Sequence, residues 1–406
     1  MAVGSGELGT LHTVDGVRIG VASAGSKKPG RIDTVVFELA EGSSVAGVFT
    51  LNAFCAAPVT LSKKHLAAAS PRYLLINTGN ANAGTGTSGM ADAEASCAAL
   101  AAEVGIAPEQ VLPFSTGVIG EKLPVEKLVA AIPAAVTALS ADGWERAANG
   151  IMTTDTRPKA TSRQIEIGGR KITITGISKG AGMIKPNMAT MLGYVATDAA
   201  VAPDVLQAML DVAADASFNR ITIDGDTSTN DSCVLVATGK AGGEMLTAAE
   251  GPAFDSLQNA INEVFLDLAH AIVRDGEGAT KFVAVEVAAA KDVSEALKVA
   301  YAVAESPLVK TALFASDPNW GRILAAIGRA GVDGLDVSIL TVHLDDVLIT
   351  EKGGRAESYT EAAGAAVMKQ SEITIRINLN RGQHTETVWT TDFSYDYVKI
   401  NAEYRS

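Results

Sequence analysis

A glycine- and methionine-rich stretch near the middle of the 406-residue chain constrains its fold more than any other feature. It runs from Ser178 to Leu192 and reads Ser-Lys-Gly-Ala-Gly-Met-Ile-Lys-Pro-Asn-Met-Ala-Thr-Met-Leu. Before it, apolar and polar residues alternate on both sides of Gly168-Gly169, which predicts a β-hairpin. After it, the apolar run from Met191 to Val195 predicts a buried strand or a strand–helix turn. The stretch itself has no periodic apolar face, so we expect a loop.

This loop is either a plain linker or a reactive segment. A linker explains its glycines, but it does not explain why the hydroxyl of Thr190 is flanked by small and apolar residues. Such a threonine is a candidate nucleophile. One common way to activate it is to give it a free α-amine, which then acts as its base.

The residues from Lys179 to Leu192 resemble the signature of the ornithine acetyltransferase (ArgJ) family. Fourteen consecutive positions follow the pattern Lys-Gly-x-Gly-Met-Ile-x-Pro-Asn-Met-Ala-Thr-Met-Leu. Other family-like segments extend the resemblance over essentially the whole chain. It implies that the precursor cleaves itself between Ala189 and Thr190. The fold it implies is mixed α/β (α+β), with a self-cleaving N-terminal-threonine core and a smaller C-terminal α+β domain.

Composition and charge indicate which kinds of partner the protein binds and in which compartment we expect it. The formal net charge is −13, which argues against nucleic acid and anionic membranes as partners. Three cysteines without metal-type spacing indicate reduced thiols and a cytoplasmic protein. The first residues lack the pattern of a secretory signal, and no apolar run is long enough to span a bilayer. With no His/Cys ligand spacing and with this family resemblance, we expect neither a metal nor an organic cofactor.

A second short motif, Ser115-Thr116-Gly117, follows the strand-like Val111-Leu112. By itself such a tripeptide is a common turn. In the resembled family the matching Thr-Gly pair forms an oxyanion hole, with one donor from the threonine hydroxyl and one from the glycine amide. The resemblance therefore implies this role for Thr116 and Gly117, and glycine allows the backbone to approach a reacting carbonyl closely.

The resemblance also implies a set of substrate contacts. Thr153 lies in Thr-Thr-Asp-Thr, which the sequence alone slightly favours as a helix cap and the resemblance favours as a ligand contact. Lys179 matches a position that meets the substrate, and a lysine suits an α-carboxylate. Glu277 stands between two glycines. The implied substrate-binding residues are Thr153, Lys179, Thr190, Glu277, Asn401 and Ser406.

Three further segments allow competing interpretations. The loop from Thr78 to Gly86 is weakly compatible with phosphate binding, but the Walker spacing is absent, and the family carries a similar loop near its active site. The acidic loop from Asp224 to Asp231 could bind a divalent cation, yet Leu235 occupies the position at which an EF-hand has its glutamate. We prefer a role in ordering the active site. Apolar–polar alternation from Tyr395 to Ile400 predicts a packed, strand-like tail.

The resemblance implies three parts of the chain: 1–189 as an alpha chain, 190–288 beginning a beta chain, and 289–406 as a C-terminal α+β domain. It implies transfer of the acetyl group of N-acetylornithine to glutamate through acetyl-Thr190, with acetyl-CoA a donor in some members. Two alpha and two beta chains would form a heterotetramer.

Two other classes of function remain as alternatives. One is an N-terminal-nucleophile aminopeptidase or amidohydrolase, which would use water as acceptor. The other is a non-catalytic binding protein, which would stay uncleaved.

Overall fold

The computed structural model describes residues 2–26, 30–185 and 191–404. The chain divides into two compact units. The larger unit contains residues 7–219 and 226–272, and the smaller one contains residues 1–6, 220–225 and 273–406. The predicted division at 189/190 and 288/289 concerns functional parts of the chain and stays a prediction.

The larger unit contains nine strands and most of six helices among its described residues, with two short 3-10 turns at Pro108–Gln110 and Phe218–Arg220. In chain order they are β1 (Val17–Ala22), β2 (Thr34–Leu39), β3 (Ser44–Phe49), α1 (Ala57–Ala68), β4 (Tyr73–Asn80), α2 (Gly86–Val104), β5 (Val111–Val118), α3 (Val125–Thr137), α4 (Trp144–Gly150), β6 (Lys159–Ile167), β7 (Arg170–Lys179), β8 (Leu192–Thr197), α5 (Pro203–Ala216), β9 (Ser232–Ala237) and α6 (Pro252–Arg274).

These strands form two sheets, ordered β1-β2-β4-β5 and β3-β9-β8-β7-β6. The apolar core between them includes Phe37 and Phe114 from the first sheet and Tyr194 from the second. The Tyr194 ring lies 5.5 Å from that of Phe37 and 5.2 Å from that of Phe114, centroid to centroid. The unit is therefore a sandwich of two sheets joined through a shared aromatic core.

Helices cover the outer faces of both sheets. In β2, Phe37 packs into the sandwich whereas its neighbour Val36 packs under α2 and α3, as the two-residue period of a strand requires. On the other sheet, Gly176 of β7 leaves room for Val264 and Leu268 of α6. With both faces buried, the central strands are mostly apolar, which explains why the sequence shows apolar runs there.

The smaller unit contains the remaining described elements. They are β10 (Phe282–Ala290), α7 (Val293–Ala304), α8 (Pro307–Phe314), α9 (Trp320–Gly328), β11 (Thr341–Leu344), β12 (Val347–Glu351), β13 (Gly354–Arg355), α10 (Glu361–Met368), β14 (Glu372–Asn378), β15 (His384–Thr391) and α11 (Tyr395–Ala402). The strands form one sheet, ordered β13-β12-β11-β14-β10-β15, in which β10 and β14 are parallel. Apolar residues of this sheet and of α7 to α10 form its core. The unit is thus α+β.

The prediction of a strand-like tail is wrong. Residues 395–402 form the helix α11, and the Ser394 hydroxyl accepts a hydrogen bond from the Tyr397 amide at the N-terminus of that helix. This side-chain cap favours a helical turn over an extended chain. The tail is also less buried than predicted, because Tyr395 is 83% exposed. The ring of Tyr397 nevertheless stacks on Phe393 at 4.8 Å.

Two further findings concern the helices and the cysteines of the described residues. No helix among them is long and apolar enough to cross a membrane. The three cysteines are free thiols, as their scattered positions predicted. Cys97 and Cys233 are buried, and burial raises the pKa of Cys97 to about 12, so it is packed rather than reactive.

Candidate active site

Lys179, the last residue of β7, lies at the centre of a polar cluster in the larger unit. Its Nζ donates a hydrogen bond to Thr116 Oγ1 at 3.0 Å and another to Thr153 Oγ1 at 3.1 Å. Two threonines that the family resemblance singled out, distant in sequence, therefore contact the same lysine, which the resemblance also singled out. We name Lys179, Thr116 and Thr153 the lysine cluster.

Thr116 and Gly117 are part of strand β5, so the turn interpretation of Ser115-Thr116-Gly117 is wrong. Strand β4 continues to Asn80, further than predicted, and pairs with β5 in parallel, with Thr78 opposite Thr116. Gly117 has a φ of 138°, and a Cβ there would lie 2.2 Å from the carbonyl carbon of Gly79. Only glycine fits this close approach of two backbones.

The hydroxyl of Thr116 can still donate. A hydroxyl has one O–H donor and two acceptor lone pairs, and the bond from Lys179 uses a lone pair. Accepting a bond from an ammonium group also polarises the hydroxyl, which makes it a better donor. Thr116 therefore has the chemistry required of an oxyanion-hole donor.

Asp155 is a site residue that sequence reasoning missed. Its carboxylate is buried, forms a 2.6 Å ion pair with Lys159, and accepts hydrogen bonds from the amides of Gly180 at 2.8 Å and Thr153 at 3.0 Å. It thus fixes the backbone beside both Lys179 and Thr153. The sequence did contain one signal for Asp155. Asp155 and Lys159 are four residues apart and follow Thr153 closely, a spacing that allows an ion pair beside a candidate site residue. No helix begins in this segment, so the predicted helix cap is wrong.

The charges around Asp155 determine its protonation state. Burial by itself raises the pKa of this carboxyl, but the positive charges of Lys159 and Lys179 outweigh burial. The pKa of Asp155 therefore lies well below its usual range. Asp155 is ionised at neutral pH and compensates the charge of Lys159.

The acidic loop before β9 contacts the lysine cluster's strands. Asn230 Nδ2 donates to Ala81 O at 2.6 Å and to Ser115 O at 2.9 Å, which ties the loop to the residue before Thr116. Asp231 is buried, and burial raises the pKa of its carboxyl well above the usual range, a rise that hydrogen bonding to Ser228 and the charge of Lys179 only partly offset. These bonds support the predicted ordering role. Among the described residues, no group of three or more His, Cys, Asp or Glu side chains is arranged to hold a metal ion.

Asn80, the last residue of β4, and Asn82, which follows the strand, form hydrogen bonds within the larger unit. Asn80 Nδ2 donates to the carbonyls of Glu121 and Lys122, both at 3.1 Å, and Asn82 Nδ2 donates to Gly89 O at 2.8 Å. These amides are engaged within the protein rather than facing a phosphate. Phosphate binding, the weaker of the two interpretations, has no support in these contacts.

Comparison with known proteins identifies the fold family. The ArgJ family profile matches residues 18–406. The arginine biosynthesis bifunctional protein ArgJ of Pseudomonas fluorescens (strain Pf0-1) is 64% identical over 406 residues, which is 100% of both chains. The chain belongs to the ArgJ family. This membership confirms three predictions: the family, the mixed α/β fold class, and the function as an acyltransferase of arginine biosynthesis.

Two solved structures are also similar. ArgJ from Bacillus halodurans is 38% identical over 51% of this chain and 96% of its own, with a TM-score of 0.48. The ornithine acetyltransferase of Mycobacterium tuberculosis, solved with ornithine, is 33% identical over 43% of this chain and 94% of its own, with a TM-score of 0.39.

The ArgJ signature runs from the end of β7 to the start of β8. Lys179 and Leu192 are paired neighbours in the sheet, and the carbonyl of Met191 accepts a hydrogen bond from the Ser232 amide at 2.9 Å. Ala189 and Thr190, the predicted cleavage site and nucleophile, lie outside the described residues. Met191, to which Thr190 is bonded, is buried.

The other predicted substrate residues belong to the smaller unit. Asn401 Nδ2, on α11, donates to Glu277 Oε2 at 2.8 Å. Gly278 has a φ of 68°, and a Cβ there would lie 2.5 Å from the Tyr397 amide nitrogen, so glycine is required where α11 begins. Glu277 and Asn401 are thus in contact, and we name them the tail pair. Ser406 lies outside the described residues.

Proposed function

We propose that this ArgJ protein transfers the acetyl group of N-acetylornithine to glutamate through an acetyl-threonine intermediate on Thr190. The observation that carries the proposal is the lysine cluster. It joins a cation suited to a carboxylate, a polarised hydroxyl donor and a glycine backbone next to that donor. Membership of a family named for arginine biosynthesis supports the choice of substrates.

The proposed sequence begins with self-cleavage of the Ala189–Thr190 bond, which gives Thr190 a free α-amine. The reference pKa of such an amine is about 7.7–8.0, so it is partly neutral near physiological pH and accepts a proton. Thr190 Oγ then attacks the acetyl carbonyl of N-acetylornithine while its proton passes to the α-amine. That proton is delivered to the departing nitrogen, and ornithine leaves with the acetyl ester on Thr190.

In the second half, the α-amine of glutamate attacks the ester carbonyl. The C–O bond to Thr190 breaks, the proton that the glutamate nitrogen loses passes through the α-amine of Thr190 to its Oγ, and N-acetylglutamate leaves. In both halves, Thr116 Oγ1 and the Gly117 amide stabilise the negative charge on the carbonyl oxygen. One such donor contributes about 2.7–4 kcal/mol to lowering the barrier. No step requires a metal ion or an organic cofactor.

We assign the binding of both substrates to side chains that can recognise the α-carboxylate and the other polar groups of an amino acid. Both substrates carry an α-carboxylate, and Lys179 and Thr153 offer it a charged donor and a hydroxyl. Glu277, Asn401 and Ser406 complete the predicted substrate contacts. We also propose that acetyl-CoA is a second acetyl donor, as the name of the bifunctional relative suggests, and that the cleaved chains form a cytoplasmic heterotetramer.

The deciding experiment follows the acetyl group. Purified protein is incubated with N-acetylornithine that carries a labelled acetyl group, with and without glutamate. We expect labelled N-acetylglutamate only when glutamate is present, and initial rates that give parallel double-reciprocal lines. A labelled fragment beginning at Thr190 should accumulate without glutamate. Release of labelled acetate at the same rate with or without glutamate would instead identify a hydrolase and overturn the proposal.

A further inference from the structure

Residues 392–394 connect β15 to α11, and none of the proposed steps uses them. Asp392 and Ser394 are both buried. Since Phe282 of β10 pairs with Thr391 of β15, this connection lies directly beside the residues that precede β10. We name residues 392–394 the connector. It adjoins both sources of the tail pair, the loop before β10 and the helix α11.

Asp392 holds the loop that carries Glu277. Its Oδ1 accepts hydrogen bonds from the amides of Thr280 at 2.8 Å and Lys281 at 3.0 Å, and its Oδ2 accepts from Thr280 Oγ1 at 2.5 Å. Hydrogen bonds to a carboxylate are stronger than those between neutral groups, and these come from two consecutive residues. The Asp392 side chain therefore fixes the end of the loop that joins β10.

Ser394 bonds the same loop to α11. Its Oγ donates to Gly278 O at 2.7 Å and accepts from the Tyr397 amide at 3.3 Å. The residue next to Glu277 is thus bonded to the side chain that caps the helix of Asn401. Both members of the tail pair are held by the connector, and the 2.8 Å bond from Asn401 Nδ2 to Glu277 Oε2 joins them.

A buried lysine of α8 holds the connector from its other side. Lys310 Nζ donates to Thr390 Oγ1 at 2.8 Å and to the carbonyl of Thr391, and it lies 4.5 Å from the centroid of the Phe393 ring. Burial lowers the pKa of Lys310 to about 7, and the charge of Asp392 is the largest influence that opposes burial. Desolvation offsets much of the attraction between buried charges, so they contribute little net stability. Their placement fits a role in fixing one geometry of the connector.

We propose that Asp392 is a positioning residue for substrate binding, which holds Glu277 where Asn401 bonds to it and so presents the tail pair to the substrate preformed. This inference rests on the proposed function, in which the tail pair binds the substrate. Preformed polar groups bind a ligand more tightly because less conformational freedom is lost on binding. Asp392 acts through Glu277, so its loss should weaken binding without changing the chemistry at Thr190.

The first test compares KM with kcat in the purified enzyme. Asp392→Ala should raise the KM for N-acetylornithine about tenfold, with kcat within about threefold of wild type and self-cleavage intact. Asp392→Asn keeps an oxygen for the two amides and should recover KM to within about threefold of wild type. Thr280→Val keeps the carboxylate, removes only the hydroxyl donor and should raise KM about threefold. A lowered kcat with unchanged KM in Asp392→Ala would overturn the proposal, as would an asparagine variant no better than alanine.

Glu295→Ala is the matched control for a purely structural effect. Glu295 is also a buried carboxylate of the smaller unit, and its Oε1 accepts from the Lys291 amide at 3.1 Å and from Arg381 Nε at 3.0 Å. Lys291 follows β10, whereas the loop of Glu277 precedes it. We expect Glu295→Ala to lower the Tm but to leave KM unchanged. A KM that rises as much as in Asp392→Ala would show a general loss of structure and overturn the proposal.

The second test asks whether Asp392 acts through the tail pair. Asn401→Ala removes the donor to Glu277 and should raise KM by itself. Adding Asp392→Ala to that variant should raise KM by less than about twofold more, because residues that act through one interaction have non-additive effects. Fully additive effects would show that the two residues act independently, which contradicts the proposal.

The third test does not depend on acetyl transfer. Native-state hydrogen–deuterium exchange, followed by mass spectrometry, reports local opening of the backbone. Asp392→Ala should speed exchange about tenfold or more in peptides that cover residues 276–281 and 394–402, and Glu295→Ala should not. Unchanged exchange in these two peptides would overturn the proposal. If wild type transfers no acetyl group, the proposed function fails, while the exchange pattern still decides whether Asp392 holds the loop of Glu277.

Discussion

The lysine cluster and the tail pair place predicted site residues in two different settings. The lysine cluster is built on β5, on β7 and on the segment before β6, and buried Asp155 holds its backbone. The tail pair depends on α11, a short helix whose Tyr395 and Val398 are 83% and 65% exposed. Rigid strands hold catalytic geometry precisely, whereas a short exposed helix is better suited to contacting a substrate that must enter and leave. We expect variants of Thr116, the oxyanion-hole candidate in the cluster, to lower kcat and variants in the tail pair to raise KM.

The largest effect should come from Thr190→Ala. Without the hydroxyl there is neither self-cleavage nor an acetyl ester, so the chain should stay in one piece and transfer should be lost. Intact-mass analysis of purified protein should show fragments 1–189 and 190–406 for wild type and a single chain for the variant. Thr190→Ser, which keeps a hydroxyl, is the control and should still be cleaved. An active enzyme with an unbroken chain would contradict the proposed nucleophile.

Asp155→Asn should have the next largest effect, because it breaks a buried ion pair and leaves Lys159 without its counter-charge. Removing one partner of such a pair costs about 3–5 kcal/mol of unfolding free energy. Since the pKa of Asp155 is lowered, its stabilisation is present above the unfolded pKa of about 4 and is lost as pH falls toward the folded pKa.

Urea unfolding of wild type and Asp155→Asn as a function of pH tests this linkage. The two should differ most at neutral pH and converge in acid. Asp346→Asn is the control, because that side chain is 99% exposed and should leave the unfolding midpoint unchanged. A constant difference between wild type and Asp155→Asn at every pH would contradict an ionised Asp155.

Thr116→Ala should lower kcat about 10²–10³-fold, the usual effect of losing one oxyanion-hole donor, with a small change in KM. The variant also removes an acceptor of Lys179, so Thr116→Ser is needed to separate the two causes. The serine variant keeps the hydroxyl and should retain most of the activity. Steady-state rates with N-acetylornithine and glutamate give both constants. If alanine mainly raised KM, Thr116 would belong with the substrate contacts instead.

The fold could be predicted where local pattern and burial agree. The hairpin around Gly168-Gly169 appears as β6 and β7, and the apolar run after the signature appears as β8. The lysine cluster could not be derived from local pattern, because the contact between Thr116 and Lys179 spans 63 residues and depends on the sandwich. Only the family resemblance singled out both residues. Asp155 was missed because the amides of Gly180 and Thr153 leave no trace in residue type, and its spacing from Lys159 was the one signal available.

The prediction for the C-terminal tail was wrong for a different reason. Apolar–polar alternation over Tyr395–Ile400 matches a strand, but a strand needs a paired neighbour, and residues 395–400 pair with none of the described strands. The Ser394 cap supplies local hydrogen bonding that favours a helix instead. A short segment can fit both the strand period and the helix period. Its structure is then determined by the capping residue before it and by its neighbours in space, and the sequence does not show the spatial neighbours.

The smallest of the expected effects concerns the tail pair, and it separates recognition from chemistry. Deleting residues 401–406 removes the Asn401 amide that donates to Glu277, but it leaves the lysine cluster of the larger unit unchanged. Self-cleavage should therefore remain largely intact, while the KM for N-acetylornithine rises about tenfold or more, since a hydrogen bond to a charged group contributes about 1.5–3 kcal/mol. Asn401→Asp should act in the same direction, because a carboxylate cannot donate to Glu277 and repels it. Val398→Ala, on the same helix and 65% exposed, is the control and should behave as wild type. A truncated enzyme that cleaves itself and keeps the wild-type KM would remove Asn401 and Ser406 from the site, and the division of labour between the lysine cluster and the tail pair would fail with them.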